Sequence, residues 1–161
     1  MKIRPARDTD AAALAAIHRQ SVDAQDSTMA GPCSSEEMAR RLSDAGEREI
    51  WLVLEEEATV IGWGVVKAYS PRPGYHFACE TSIFLDRSRR GKGYGRPLQA
   101  ALLDHCQRLG YHHTVARIWA SNQGSIRFHQ SFGYELVGIQ KEIGFVGGQW
   151  RDVAILQKVF H

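Results

Sequence analysis

Between residues 80 and 95 the chain reads Glu-Thr-Ser-Ile-Phe-Leu-Asp-Arg-Ser-Arg-Arg-Gly-Lys-Gly-Tyr-Gly, and this stretch constrains the fold more than any other. An apolar strand gives way to a short basic loop, whose glycines lead into a helix expected to begin near Arg96. Leu98, Leu102, Cys106 and Leu109 lie on one face of that helix, which should stop at Gly110. His113 to Trp119 then alternates like a strand. Strand, helix and strand in that order need a crossover connection, so the two strands are expected to lie parallel. The loop has the chemistry of a polyanion cradle. A helix start presents unpaired N–H groups and the positive end of the macrodipole. Glycines let an anion approach that backbone, and Arg89, Arg90 and Lys92 supply charge of the complementary sign.

The flanking segments build a sheet around this unit. Lys2 to Arg4 is a short strand closed by Pro5, and Asp8 is placed to cap a helix through the alanine-rich segment that follows. Residues 23–33 are polar and read as a loop; Ser34-Ser35-Glu36-Glu37 outlines a capping box for a second helix carrying Met38 and Leu42. Ile50 to Glu55 and Thr59 to Ala68 form an expected antiparallel hairpin, followed by the proline-rich loop Ser70 to Gly74 and a strand from Tyr75 to Asp86. Asn122 to Phe132 reads as a helix stopped by Gly133. Tyr134 to Phe145 and Gln149 to Phe160 pair as a closing hairpin. The result is an α/β (α+β) sheet with mixed pairing, expected to be a single domain over residues 1–161, with no repeat or linker.

A net charge of +2 is too small to argue for nucleic acid, so any anion site must come from local clustering. Cys33, Cys79 and Cys106 have no metal or redox spacing and read as free thiols in a reducing compartment. No signal peptide and no membrane-length apolar run is seen, and a cytoplasmic protein is expected. His112 and His113 are adjacent, and no carboxylate or cysteine stands at ligand spacing from them, so no metal site is expected.

Arg90-Gly91-Lys92-Gly93-Tyr94-Gly95 resembles the acyl-CoA pyrophosphate motif of the GCN5-related N-acetyltransferases (GNAT), Gln/Arg-x-x-Gly-x-Gly/Ala. The likeness continues through Asn122 and Phe128-His129-x-x-Phe132-Gly133-Tyr134. The opening Ile3-Arg4-Pro5-Ala6, Arg72-x-x-Tyr75 followed by Glu80, and Gly144-Phe145-x-x-Gly148-x-Trp150-x-Asp152-Val153-x-x-x-Gln157 are similar to the phosphinothricin and methionine sulfoximine acetyltransferase subgroup. The resemblance implies a mixed, mostly antiparallel sheet of about seven strands and about four helices, splayed between the fourth and fifth strands. It also implies acetyl-CoA as cosubstrate and, with the aromatic closing hairpin, a homodimer.

Moving an acetyl group from a thioester to an amine has three needs: the anionic cofactor must be held, the amine must lose a proton, and charge on the carbonyl oxygen and departing sulfur must be stabilised. By resemblance, backbone groups of Arg90, Gly91, Lys92, Gly93, Tyr94 and Gly95 hold the pyrophosphate. Ile83, Phe84, Leu85, Asn122 and Ser125 contact the pantetheine arm, and a free strand N–H polarises the thioester at a typical worth of roughly 3–4 kcal/mol. Glu80 is the implied general base, a role worth about 10²–10⁴-fold; a solvent-facing strand glutamate is the plainer alternative. His129 stands where a proton donor to the leaving thiolate is implied, or it packs as an ordinary helix histidine. Asn122 serves pantetheine or simply caps its helix.

Arg72 and Tyr75 are the substrate candidates, the guanidinium being suited to an amino-acid carboxylate. Ser70 stands where relatives often place a basic residue, and Thr28-Met29-Ala30 lacks their usual aromatic. The reading is therefore an N-acetyltransferase working on a small amino-acid-like amine by direct ternary-complex transfer. Its alternatives are an enzyme acting on a protein or peptide N-terminus and a non-catalytic acyl-CoA-binding module. A Walker A reading of the loop fails because Gly-Tyr-Gly lacks the required Lys-Ser/Thr.

Overall fold

The computed structural model describes residues 1–28 and 31–161. The chain forms β1 (Lys2–Pro5), α1 (Ala11–Asp23), α2 (Ser35–Ser43), β2 (Ile50–Glu56), β3 (Thr59–Ala68), β4 (Ala78–Leu85), α3 (Gly95–Arg108), β5 (His113–Trp119), α4 (Gln123–Gln130), β6 (Glu135–Val146) and β7 (Gln149–Val159). The strands make one sheet in the order β1-β2-β3-β4-β5-β7-β6. Every neighbouring pair is antiparallel except β4 and β5, which the α3 crossover makes parallel.

Period-two alternation sends side chains of β2 and β3 to opposite faces. Trp51, Val53, Trp63 and Val65 pack under α1 and α2, which bring Leu14, Ile17 and Met38. Leu52, Leu54, Ile61 and Val66 pack under α3, whose Leu98, Leu102 and Cys106 are fully buried. α3 comes close because Gly64 has no side chain: a Cβ there would lie 2.5 Å from Leu102 Cδ1. α4 sets Ile126 against Ala116, Ile118 and Leu156. Among the described residues no helix is long and apolar enough to cross a membrane.

The feature that makes room for chemistry is a parting of strands. β4 stays paired with β3 as far as Leu85, but its pairing with β5 covers only Ala78 to Glu80 against His113 to Val115. Beyond Glu80 the two strands separate, and the β5-facing backbone groups of residues 81–85 lie outside the ladder. This is the expected splay between the fourth and fifth strands.

Several local expectations are corrected. Asp8 does not cap α1; it opens a short 3-10 turn, and the helix starts at Ala11. The neighbouring Asp10 instead receives both terminal nitrogens of Arg4, at 2.8 and 3.0 Å, which ties β1 to α1. Ser34 does cap α2, its hydroxyl accepting from Glu37 N at 3.1 Å, but the Glu37 carboxylate turns to Arg41 and leaves the box half made. Tyr75 lies in a 3-10 turn with Pro73 and Gly74, and β4 begins three residues later than expected, at Ala78.

Candidate active site

A cleft of about 580 Å³ opens where β4 and β5 part, walled by the loop before α3 and by the start of α4. Gly91 and Gly93 have φ of +72° and +84°, the left-handed region in which a side chain would be strained. That conformation turns the loop back over the cleft. Gly95, the first residue of α3, serves close approach instead: a Cβ there would meet Leu85 Cδ1 at 3.1 Å and the Phe128 ring at 3.5 Å.

The loop is anchored on both sides. Glu56, at the end of β2, takes an ion pair from Arg89 and a 2.8 Å hydrogen bond from the Tyr94 hydroxyl. Asp26, just past α1, takes Arg87 at 2.8 Å and Arg90 at 2.9 Å. Burial alone would raise the Asp26 carboxyl, but the hydrogen bonds from Arg90 and Arg87 outweigh it and hold the group below the usual carboxylate range. Asp26 therefore stays ionised and keeps the cationic side chains beside the cleft. Glycine backbone, a helix start and aligned arginines together fit a pyrophosphate group, and the parted strand edge fits an amide-bearing arm.

Deeper in the gap is a throat of about 70 Å³, sharing Ile83, Phe84, Asn122 and Ser125 with the cleft and adding Ser82, Arg117 and His129. The Asn122 side-chain oxygen accepts from Ser125 N at 3.1 Å, so it caps α4 while the residue also lines the cleft. His129 Nδ1 lies 2.8 Å from the Ser125 carbonyl oxygen. A carbonyl can only accept, so Nδ1 carries the proton and Nε2 a lone pair. Burial pushes the His129 pKa below its ordinary value, and the bond to Ser125 opposes this only in part. The imidazole is neutral at pH 7. Tyr134 is tied off behind the throat: its hydroxyl lies 2.7 Å from Thr81 Oγ1 and accepts from Gln99 at 3.3 Å. Burial raises the Tyr134 pKa, so the phenol keeps its proton.

A third cavity, of about 180 Å³, lies on the α1 and α2 side of the sheet and is lined by Trp51, Trp63, Val65, Lys67, Glu80 and Ser82. Ser82 borders this cavity and the throat alike. The Glu80 carboxylate faces one terminal nitrogen of Arg117, at 3.1 and 3.3 Å from its two oxygens. The Arg117 guanidinium in turn lies 5.7 Å from the Tyr69 ring centroid, and Tyr69 meets Tyr75 edge to face at 5.7 Å.

The candidate residues are thus gathered unequally. Ile83, Phe84, Leu85, Arg90, Gly91, Gly93, Tyr94, Gly95, Asn122 and Ser125 all line the cleft. His129 lines the throat and Glu80 the third cavity. Lys92 is exposed and lines none of the three. Arg72 and Tyr75 are also exposed and outside these three linings, although Tyr75 reaches the Glu80–Arg117 pair through Tyr69. Of Thr28-Met29-Ala30, Met29 and Ala30 lie outside the described residues, and Thr28 borders the throat. Sequence reasoning missed Asp26, Ser82, Arg117 and the paired indoles. Asp26 sits in a polar segment without pattern, and Arg117 meets Glu80 only through the register Glu80↔Val115.

A family model described as an acetyltransferase (GNAT) domain matches residues 3–155. The phosphinothricin N-acetyltransferase of Alcaligenes faecalis is 29% identical over 161 residues, covering 97% of this chain and 81% of its own. The L-methionine sulfoximine/L-methionine sulfone acetyltransferase of Salmonella typhimurium is 33% identical over 106 residues, 66% of this chain and 62% of its own. The crystal structure of a GNAT superfamily phosphinothricin acetyltransferase from Sinorhizobium meliloti in complex with acetyl-CoA aligns with a TM-score of 0.88 at 33% identity, covering 99% of this chain and 88% of that one. Sequence and fold agree over nearly the whole length: the chain belongs to the GNAT family and is an acetyl-CoA-dependent N-acetyltransferase.

Proposed function

We propose that the enzyme acetylates the amine of a small amino-acid-like acceptor, of the phosphinothricin or methionine sulfoximine type, by direct transfer within a ternary complex. The observation that carries this reading is the position of Glu80. Its carboxylate borders a cavity of about 180 Å³, the scale of a small amino acid, and Ser82 links that cavity to the throat. The acyl group comes up the parted edge of β4 from the cofactor side, and the amine approaches from the acceptor side. Glu80 takes the amine proton, directly or through a water, as the nitrogen lone pair attacks the thioester carbonyl carbon. The C–S bond then breaks, and the electron pair leaves on sulfur.

The departing thiolate needs a proton. Neutral His129 has its only N–H committed to Ser125, so it can pass on a proton only after accepting one at Nε2. We assign it that relay: the proton released from the attacking amine reaches Nε2 of His129 through water and goes on to the sulfur, and the resting imidazole donates nothing directly. Arg90 and the backbone from Gly91 to Gly95 hold the pyrophosphate, while Asn122 and Ser125 meet the pantetheine arm.

The test is thiol release from acetyl-CoA against amino acids, phosphinothricin, methionine sulfoximine, polyamines and peptides. Turnover of the amino-acid-like members is expected, and turnover of peptides alone would overturn the assignment. Glu80→Gln should lower kcat at least about tenfold with acetyl-CoA affinity nearly intact. An unchanged pH–rate profile in that variant removes Glu80 from the mechanism.

A further inference from the structure

The cavity beside Glu80 has its own chemistry, apart from the carboxylate at its edge. Its aromatic wall is formed by Trp51 and Trp63, stacked at 5.4 Å with an interplanar angle of 18°. The Trp51 indole N–H is spent on Glu49 at 2.7 Å, which fixes the ring. Lys67 lies directly across the β3–β4 ladder from Glu80, which would ordinarily make the two an ion pair. They do not pair. Glu80 is engaged by Arg117, and the Lys67 ammonium instead lies 5.1 Å from the Trp51 ring centroid, with no carboxylate partner among the described residues. A cation steadied by an indole face at the rim of a small cavity, without a counter-ion, is set up to receive a negatively charged group from outside.

We propose that this cavity is the subsite for the acceptor's side chain, and that Lys67 selects acceptors whose side chain ends in an anion such as a carboxylate or phosphinate. The proposal rests on the small-acceptor reading above and deepens it. With the amine at Glu80, a short side chain crosses the Trp51 face and brings its terminal group to Lys67. A neutral sulfone or sulfoximine offers Lys67 an uncharged acceptor and gains less; an apolar side chain leaves the ammonium unpaired. A side chain ending in a cation is repelled, which is the discriminating element. Acceptor choice is thus placed on β3, away from the loop that carries Arg72.

The experiment compares kcat/KM, by thiol release with acetyl-CoA, for phosphinothricin as the anionic acceptor and L-methionine sulfone as the neutral one. A charge-assisted hydrogen bond to the anion is worth about tenfold or more, so the wild type is expected to prefer phosphinothricin by at least that factor. Lys67→Met should erase most of that preference through KM, with the KM for acetyl-CoA unchanged, and Lys67→Arg should keep it. A preference that survives Lys67→Met within about twofold, or a wild type that prefers the neutral acceptor, overturns the subsite and leaves the small-acceptor reading standing. A wild type that turns over neither acceptor nor any other amino acid overturns both. The acetyl-CoA KM reports whether each variant is folded, and Lys67→Arg supplies the arm in which charge is retained.

Discussion

In the proposed transfer Glu80 must be held in place to draw a proton from the amine, and one nitrogen of Arg117 holds it. Arg117→Ala is expected to lower kcat on the order of tenfold by misplacing that carboxylate, with acetyl-CoA affinity unchanged and partial rescue by Lys. A loss confined to the KM for acetyl-CoA would place Arg117 on the cofactor side instead. Two buried histidines contribute to the loss of stability on mild acidification. Burial lowers the pKa of His18, with Arg41 adding to the effect and Glu37 opposing it, and burial also lowers that of His129. The unfolded chain takes up protons at these groups near pH 6.5, while the folded chain resists until lower pH. Stability from both is therefore complete above about pH 6.5 and is lost as pH falls through the folded values. Urea midpoints should drop between pH 7.5 and 5, and His18→Leu should flatten the slope. Neither ring nitrogen of His18 has a hydrogen-bond partner among the described residues, so that variant is expected to be neutral or stabilising by about 1 kcal/mol at pH 7. Glu80 was legible in the sequence because it lies on the strand leading into the glycine loop. Arg117 was not, because its partner depends on which residue of β4 stands against which residue of β5.

The strand–loop–helix unit was legible because its chemistry is local: left-handed glycines, a helix start and basic side chains all fall within a few residues. The acceptor cavity was not, since β2, β3 and β4 each contribute to it and only their pairing brings the contributions together. The strand expected from Tyr75 loses its first three residues, because the Pro73-Gly74 turn runs through Tyr75 and β4 starts at Ala78. Packing between elements gives a sharp test at Gly64. Any side chain there collides with Leu102 of α3 at 2.5 Å and with the Ser82 carbonyl oxygen at 3.0 Å. Gly64→Val is expected to cost about 1–3 kcal/mol in overpacking, read as a lower thermal midpoint. By pressing on β4 at Ser82 it should also weaken acetyl-CoA binding, measured by calorimetry. An unchanged midpoint would mean that α3 can lift off without penalty.

At the scale of the whole molecule, the order of elements was readable, and the aromatic closing hairpin already pointed to a contact with a second copy. β6 is the sheet edge, and with β7 it exposes Leu136, Val137, Ile143, Phe145 and Trp150, the last at 64%. Phe145 and Trp150 pack on each other at 4.9 Å across the strands. An exposed apolar ridge on a long edge strand is an interaction surface. We propose that it is covered by a second copy of the chain. Sedimentation should give a dimer, and Phe145→Asp with Trp150→Ser should give a folded monomer; a wild-type monomer at micromolar concentration would contradict the assignment.

The indole pair in the cavity beside Glu80 has a consequence for spectroscopy. Trp63 stacks not only on Trp51 but also on Phe84, at 4.5 Å and 22°, and Phe84 lines the cofactor cleft and the throat. Two stacked indoles 5.4 Å apart couple through their strong far-ultraviolet transitions, so their circular dichroism there is not the sum of two isolated chromophores. One end of the stack borders the cavity beside Glu80 and the other the cleft at the glycine loop. Titration with acetyl-CoA and with an acceptor, each alone, is therefore expected to change the tryptophan signal without a label.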